Sequence, residues 1–322
     1  MNVSSSRWQE LERPAGSERE SLGQKLRKDW LRHYPLYLIV SPVLIYYLVF
    51  HYVPIYGAII AFKDYVPTKG ILGSPWVGFK HFQAFFDSYY FWRILKNTLV
   101  ISLTSLVFGF PAPILLALLI HEVKSRLFSR FVQTLTYMPH FVSLVVVCGL
   151  IIDFTMDNGI VNSVIGMLGG EKATLLNYPS NFVPLYVISE IWQEVGWGSI
   201  IYLAAMGSID PQLYEAATID GANRWKQTLH VTLPGIAATI IILLILKVGG
   251  ILSVGYEKII LLYNPAIYET SDVISTFVYR KGLQEFNWSF SSAVGLFNST
   301  INFLLLVGAN WVSKKINNSG LW

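Results

Sequence analysis

Charge is what this sequence most lacks. Only 14% of its 322 residues are Asp, Glu, Lys or Arg, where a soluble domain carries about 25%. That excludes an ordinary water-soluble globule. Cysteine is almost absent as well. The single Cys148 allows no disulfide and no cysteine-rich metal site within one chain, and its place in an apolar run makes it a packing residue. The phosphate-cradling pattern GxxxxGK[ST] is missing, so the chain itself is expected to bind neither ATP nor another cofactor. The HExxH helix and the GxSxG elbow are missing too. The histidines (33, 51, 81, 121, 140 and 230) do not pair at metal-ligand spacing. No catalytic or metal site is expected. The formal net charge of +4 is modest and calls for no nucleic-acid partner.

In place of charge there are long apolar runs. His33–Phe62, Asn97–Ile120, Phe131–Ile152 and Phe286–Ser313 hold 30, 24, 22 and 28 residues without a charged side chain. A helix needs roughly 20 apolar residues to cross a bilayer core. Phe182–Gly207 is long enough but carries Glu190 and Glu194; Gly235–Val254 carries Lys247. The expectation is an all-α membrane protein with six transmembrane helices, in contact with membrane lipid. The first run follows about 30 polar residues and exceeds the 7–15 residues of a signal-peptide core, so it reads as a retained span. Pro42, Pro54, Pro111, Pro113, Pro139 and Pro184 fall within these spans, and each removes a helical hydrogen bond.

Loop charges orient the chain. The N-terminal tail carries seven basic residues, from Arg7 to Arg32; Lys124, Arg126 and Arg130 follow the second span, and Lys314 and Lys315 follow the last. Both termini and the loops 121–130 and 209–234 are therefore expected on the cytoplasmic side. Lys63–Arg93 conflicts with this, with four basic residues on the expected outer side. The same segment is crowded with aromatic rings, which favour the membrane–water boundary, and it reads as short interfacial helices. Residues 1–30 read as a polar cytoplasmic extension, with a short amphipathic helix near Leu22–Trp30, and 31–322 as the membrane domain.

One polar loop, 210–234, is compact and patterned. Asp210 is a good N-cap and Pro211 a good first helical residue. Gln212–Ile219 then makes about two turns, Gly221 ends them in a left-handed conformation, and Asn223–Leu229 makes a second short helix. The small Ala216, Ala217 and Ala222 allow a partner's backbone to come close. Glu215 and Asp220 offer it negative charge. A bulky residue at Gly221 is expected to add a packing clash to the backbone cost.

The order Glu215-Ala216-Ala217, Asp220-Gly221-Ala222, Pro234 resembles the coupling loop of permease subunits in binding-protein-dependent ABC importers. Trp76–Asn97 is similar to the family's segment leading into the second span, and Phe131–Gly149, Tyr256–Leu283 and Asn310–Trp322 are similar to the branch that carries complex saccharides. The resemblance implies a type I importer fold in a bacterial inner membrane. It also implies a second permease subunit, two ATPase subunits that hold ATP-Mg, and an extracytoplasmic solute-binding protein. The cargo it implies is an oligo- or polysaccharide, with alginate the first choice. Many relatives have a large apolar or aromatic residue where this chain has Thr228, which is expected either to loosen the loop's packing or to mark a specific partner surface.

Glu190 and Glu194 stand four apart on one helix face, beside Trp192, Gln193 and Trp197. A carboxylate in a span tends to face a bundle interior or water. Rings, amides and carboxylates together suit a sugar, so these residues are the candidate substrate pathway, with Lys247 as a partner. Pairing of both glutamates in a subunit interface is the alternative, and bare carboxylates would repel an anionic cargo. Asn298 and Asn302 put two amides on one face of the last span, for cargo or for helix–helix hydrogen bonds. A membrane-embedded enzyme of polysaccharide metabolism, a channel or receptor, and a permease for a neutral sugar are the other readings.

Overall fold

A computed structural model describes residues 22–317 and 320–322. The expected extension up to residue 21 lies outside the described residues. The chain forms two compact units, 1–58 and 59–322.

In the first unit, α1 runs from Leu22 to Tyr47, with Pro35 and Pro42 inside it. His33 leaves helical geometry (φ −121°, ψ 15°) just before Pro35, whose ring and missing N–H disfavour a straight helix. Leu36, Leu38, Ile39, Leu44 and Ile45 are all exposed, so the helix has apolar groups around its whole circumference. That is the pattern of a helix meant for lipid rather than water.

The second unit is helical, with one isolated antiparallel bridge, Lys63 to Trp76, among the described residues. Its main helices are α2 (Phe91–Thr104), α3 (Pro111–His121), α4 (Arg126–Tyr137), α5 (Leu144–Thr155) and α6 (Pro179–Gly207). They are followed by α7 (Pro211–Ile219), α8 (Arg224–Gln227), α9 (Ala237–Gly249) and α10 (Trp288–Asn317). A wide π turn, Ser105–Gly109, joins α2 to α3, where Pro111 and Pro113 supply no N–H groups for an ordinary α ladder.

By length and apolar composition, four helical stretches among the described residues could cross a bilayer: Trp30–Phe62, Phe91–His121, Leu144–Met167 and Trp288–Lys315. The pair Arg224–Gly235 and Ala237–Gly249, bent by 60°, would make a fifth. A sixth span rests on α6. Its 29 residues extend about 44 Å at 1.5 Å per residue, but its two glutamates lower its apolar character. The third expected span needs correction. Phe131–Ile152 is not one helix: α4 ends at Tyr137, a tight turn covers Met138–Phe141, and α5 begins at Leu144. Pro139 inside that turn breaks the ladder.

Three buried clusters hold the second unit together. One joins Ile101, Cys148, Phe182, Tyr186 and Ile259. A second joins Phe85, Phe91, Ile94, Phe277 and Phe290. The third packs Ala117 of α3 against Tyr202 and Met206 of α6 and Ile236. On α6, Gly196 presses on α4 so closely that a Cβ there would sit 2.0 Å from the carbonyl oxygen of Thr136.

The basic residues of Lys63–Arg93 are largely tied down. Lys63 Nζ donates to the carbonyls of Ile71 (2.7 Å) and Leu72 (3.3 Å). Lys80 pairs with Asp64 at 2.8 Å, and Arg93 with Asp272 at 3.5 Å. The aromatic residues divide: Phe85 and Phe91 enter the core, while Trp76, Phe79, Tyr89 and Trp92 remain exposed.

Candidate functional site

The loop 210–234 is built by its caps. The Asp210 carboxylate accepts from Gln212 N at 2.9 Å and starts α7. Gly221 sits at φ +74°, and Ala222 N closes the turn on Ala217 O at 2.8 Å. Asn223 Oδ1 then accepts from Lys226 N at 2.9 Å and starts α8, which ends earlier than expected, at Gln227, in a wide turn Thr228–Thr232. Two side chains bind the halves together: Gln227 Nε2 donates to Thr218 Oγ1 (3.0 Å), and Tyr214 Oη lies 3.0 Å from Thr232 Oγ1. Arg224 reaches Glu122 at 3.2 Å, fastening the loop to the end of α3. Thr228 does not loosen this packing. It is buried, and its hydroxyl donates back to Arg224 O at 3.0 Å.

Leu213, Ile219 and Trp225 remain exposed on the loop, Ile219 by 87%. Glu215, Ala216, Asp220 and Gly221 are exposed beside them; Ala217 and Ala222 are half-buried. The loop, polar elsewhere, thus keeps three large apolar groups in the open. No atom lies within 4 Å of a Cβ built on Gly221. The packing clash expected for a bulky residue there therefore does not arise within this chain.

The second region lies where α2, α6 and α9 meet. A cavity of about 260 Å³ is lined by Ser105, Tyr186, Glu190, Lys247 and the turn Gly250–Gly255. A second, of about 300 Å³, is lined by Pro113, Glu190, Glu194, Trp197 and Lys247. Glu190 and Lys247 line both, so the two form one groove. Glu190 Oε2 accepts from Ser105 Oγ at 2.6 Å, and Glu190 Oε1 lies 3.5 Å from Lys247 Nζ. Glu194 Oε2 is 3.0 Å from His140 Nδ1, and His140 stacks on Trp197. Neither carboxylate is bare.

Not every expected residue joins them. Glu190, Glu194 and Trp197 line the groove; Gln193, 8% exposed, lines neither cavity. Trp192 is half-exposed and lines neither cavity. Asn302 holds the turn after α9: its Oδ1 accepts from Leu252 N (3.0 Å) and its Nδ2 donates to Ser253 Oγ (2.8 Å). Asn298 lies apart, in a different cavity.

Sequence reasoning missed Ser105, the role of His140, and Asp272. Ser105 is a serine in an apolar run and carries no signal of its own. His140 follows Pro139, a hint at broken backbone. The Asp272 carboxylate is fully buried, bonded to Arg280 (2.7 Å), Arg93 (3.5 Å) and the Thr276 hydroxyl (2.9 Å). Asn97 Nδ2 also donates to Asp272 O at 2.9 Å.

Residues 109–318 match the family described as binding-protein-dependent transport system inner membrane component. The chain belongs to that family. It is similar to YteP of Bacillus subtilis (strain 168), a polygalacturonan/rhamnogalacturonan transport system permease protein. The two are 48% identical over 288 residues, 89% of this chain and 90% of YteP. LplB of the same organism is 44% identical over 288 residues, 89% of this chain and 91% of LplB. Two crystal structures of a bacterial alginate ABC transporter contain similar chains. In the importer of the acidic polysaccharide alginate the match is 45% identical with TM-score 0.85, covering 91% of this chain and 99% of that one. In the complex with alginate pentasaccharide-bound periplasmic protein it is again 45% identical, with TM-score 0.86, covering 92% and 100%. This permease is thus a sugar or polysaccharide ABC importer subunit of the inner membrane, with the type I fold, and not an enzyme.

Proposed function

We propose that this permease carries an acidic oligosaccharide, alginate-derived in the first instance, into the cytoplasm by ATP-driven alternating access. The observation that carries the cargo reading is the groove. Glu190 accepts from Ser105 and lies beside the Lys247 ammonium, and Glu194 is hydrogen-bonded by His140, so neither carboxylate is presented bare to a uronic acid. The resemblance to the alginate importer over nine-tenths of the chain supports the same cargo. The polygalacturonan/rhamnogalacturonan relative favours a second reading, a pectin-derived oligosaccharide.

Two ATPase subunits hold ATP-Mg, and one of them takes up the loop, with Leu213, Ile219 and Trp225 entering its surface and Glu215 and Asp220 facing a basic rim. A second, homologous permease subunit closes the pathway, and an extracytoplasmic binding protein delivers cargo. Both termini and the coupling loop face the cytoplasm. A nucleotide can favour one state only by binding it better, so ATP acts through this docking contact. The test is transport by the reconstituted importer with its binding protein, offered alginate pentasaccharide or a galacturonate pentasaccharide. Uptake of the first and not the second supports alginate, and the reverse supports pectin. Uptake of neither defeats the acidic-cargo reading. Coupled transport by Glu215→Arg and by Trp225→Ala at parental rates would defeat the assignment of the loop.

A further inference from the structure

A third cavity, of about 430 Å³, opens beside α10 and away from the Glu190 groove. That volume suits a small-molecule pocket, which spans roughly 300–1,000 Å³. Tyr256, Tyr279 and Trp288 supply rings, Ser275, Ser291 and Ser299 hydroxyls, and Asn298 an amide. No Lys, Arg, Asp or Glu lines it.

Three features mark it as more than a gap. Asn298 Oδ1 is buried and has no hydrogen-bond partner in the structure; such an acceptor needs a donor from outside the chain. Tyr256 and Tyr279 stack at 6.0 Å with planes 29° apart, and Trp288 is held between the rings of Tyr65 and Phe286, each 5.9 Å away. Phe286 takes φ 55° to reach it, the one positive φ outside glycine among the described residues. A bulky side chain rarely adopts that conformation, and such outliers gather at functional sites.

Its position places it on a path. Gly249 packs on Leu306, and Asn302 holds Leu252 and Ser253, so α9 and α10 run side by side in opposite directions. Continuing that pairing brings Tyr256 to Asn298. The cavity therefore lies beyond the end of α9 that points away from the coupling loop. The chain passes directly from the Glu190 groove to this cavity, since Gly255 lines the groove and Tyr256 the cavity.

We propose that this cavity is an outer subsite that holds the uncharged, hydroxyl-bearing face of one sugar ring of the cargo before it enters the Glu190 groove. Ring faces stack on the C–H face of a sugar, and Asn298 Oδ1 accepts from a sugar hydroxyl. The lining carries no cation, so it reads hydroxyls and leaves carboxylates to solvent or to Lys247. The subsite rests on the saccharide-import reading and adds a place of entry to it.

The test uses the assembled importer in proteoliposomes, with its binding protein and the uronic-acid pentasaccharide that the parent transports. Asn298→Leu removes the acceptor at similar volume. Gly295→Leu fills the cavity at a point where a Cβ meets no atom within 4 Å. Each is expected to raise KM for the oligosaccharide about fivefold, the worth of one hydrogen bond, with the complex recovered at parental yield. In a Cys148→Ser background, Ser299→Cys is expected to react with a water-soluble thiol reagent and to be protected by the oligosaccharide. Parental KM in both variants, or reaction without protection, overturns the subsite while the import reading stands. Loss of complex yield with unchanged KM in the recovered fraction overturns it in favour of a contact with the partner permease. No transport of any acidic pentasaccharide by the parent defeats the acidic-cargo reading, and the subsite for that cargo with it.

Discussion

The imidazole of His140 lies flat on the indole of Trp197, with ring planes 3° apart and centroids 4.6 Å from each other. The contact binds the broken stretch between α4 and α5 to the groove wall of α6. It also aims Nδ1 at Glu194, so one histidine does two things. His140→Phe keeps the stack and loses the nitrogen; His140→Ala loses both. The complex should be recovered normally with phenylalanine and poorly with alanine, since a stacked pair contributes about 0.5–1.5 kcal/mol. Transport should fall in both variants. Equal recovery of the two would mean that the stacking has no structural weight.

Glu190 and Lys247 should behave as a pair. Lys247→Met alone leaves a carboxylate without its cation, and Glu190→Gln alone leaves the cation. The double variant removes the conflict and should be more stable than either single variant predicts, by about 1 kcal/mol in a double-mutant cycle. Thermal unfolding of the purified complex gives the number. Strict additivity would show that the 3.5 Å separation carries no coupling.

Two glycines of α6 should respond with opposite signs. Gly196→Ala sets a methyl 2.0 Å from the Thr136 carbonyl oxygen and should cost about 1–3 kcal/mol, as overpacked sites do. A Cβ at Gly207 meets nothing within 4 Å. Gly207→Ala should therefore stabilise the helix by roughly 0.5–1 kcal/mol. Unfolding midpoints of the two variants decide it.

Asn302→Ala strips the Leu252 N–H of its acceptor and should destabilise by about 1–3 kcal/mol. Asn302→Asp keeps an acceptor and should be milder. Similar losses for both would assign the effect to the Ser253 contact instead.

At Gly221 the backbone sets the cost. With φ at +74° and open space around the Cβ, Gly221→Ala and Gly221→Leu should destabilise the isolated chain alike, by about 1–2 kcal/mol. A larger defect for leucine that appears only in the complex with the ATPase would place the partner's surface at this residue.

The loop 210–234 was legible because everything that shapes it is local. Asp210 caps two residues ahead, Asn223 three ahead, and Gly221 stands where a left-handed residue is needed. The groove was legible only in part. The four-residue spacing put Glu190 and Glu194 on one face, yet the partners that tame them, Ser105 and His140, lie 85 and 54 residues away in the chain. No periodicity connects such pairs. Gln193 shares the broad helical face of Glu190 and Glu194 but is buried at its edge and lines neither cavity, which spacing alone does not reveal. Pro139 signals a lost backbone hydrogen bond, but a count of charge, which measures solubility in lipid, joins the two helices into one run. Asp272 gave no sign, since an aspartate in a polar linker looks solvated until Arg93 and Arg280 are seen to enclose it.

The wide turn at Ser105–Gly109 has a consequence for how this permease can change over generations. A helix advances about 100° with each residue, and a π turn absorbs one residue beyond the α count. The face that α3 turns toward Tyr202 and Met206 is thus set by how many residues precede it, as much as by which ones. Deleting a single residue here would let an ordinary helix run from α2 into α3 and swing Ala117 about a quarter-turn away from α6, with every other side chain unchanged in kind. The groove can be re-lined by a one-codon deletion, a route that scanning by substitution never visits.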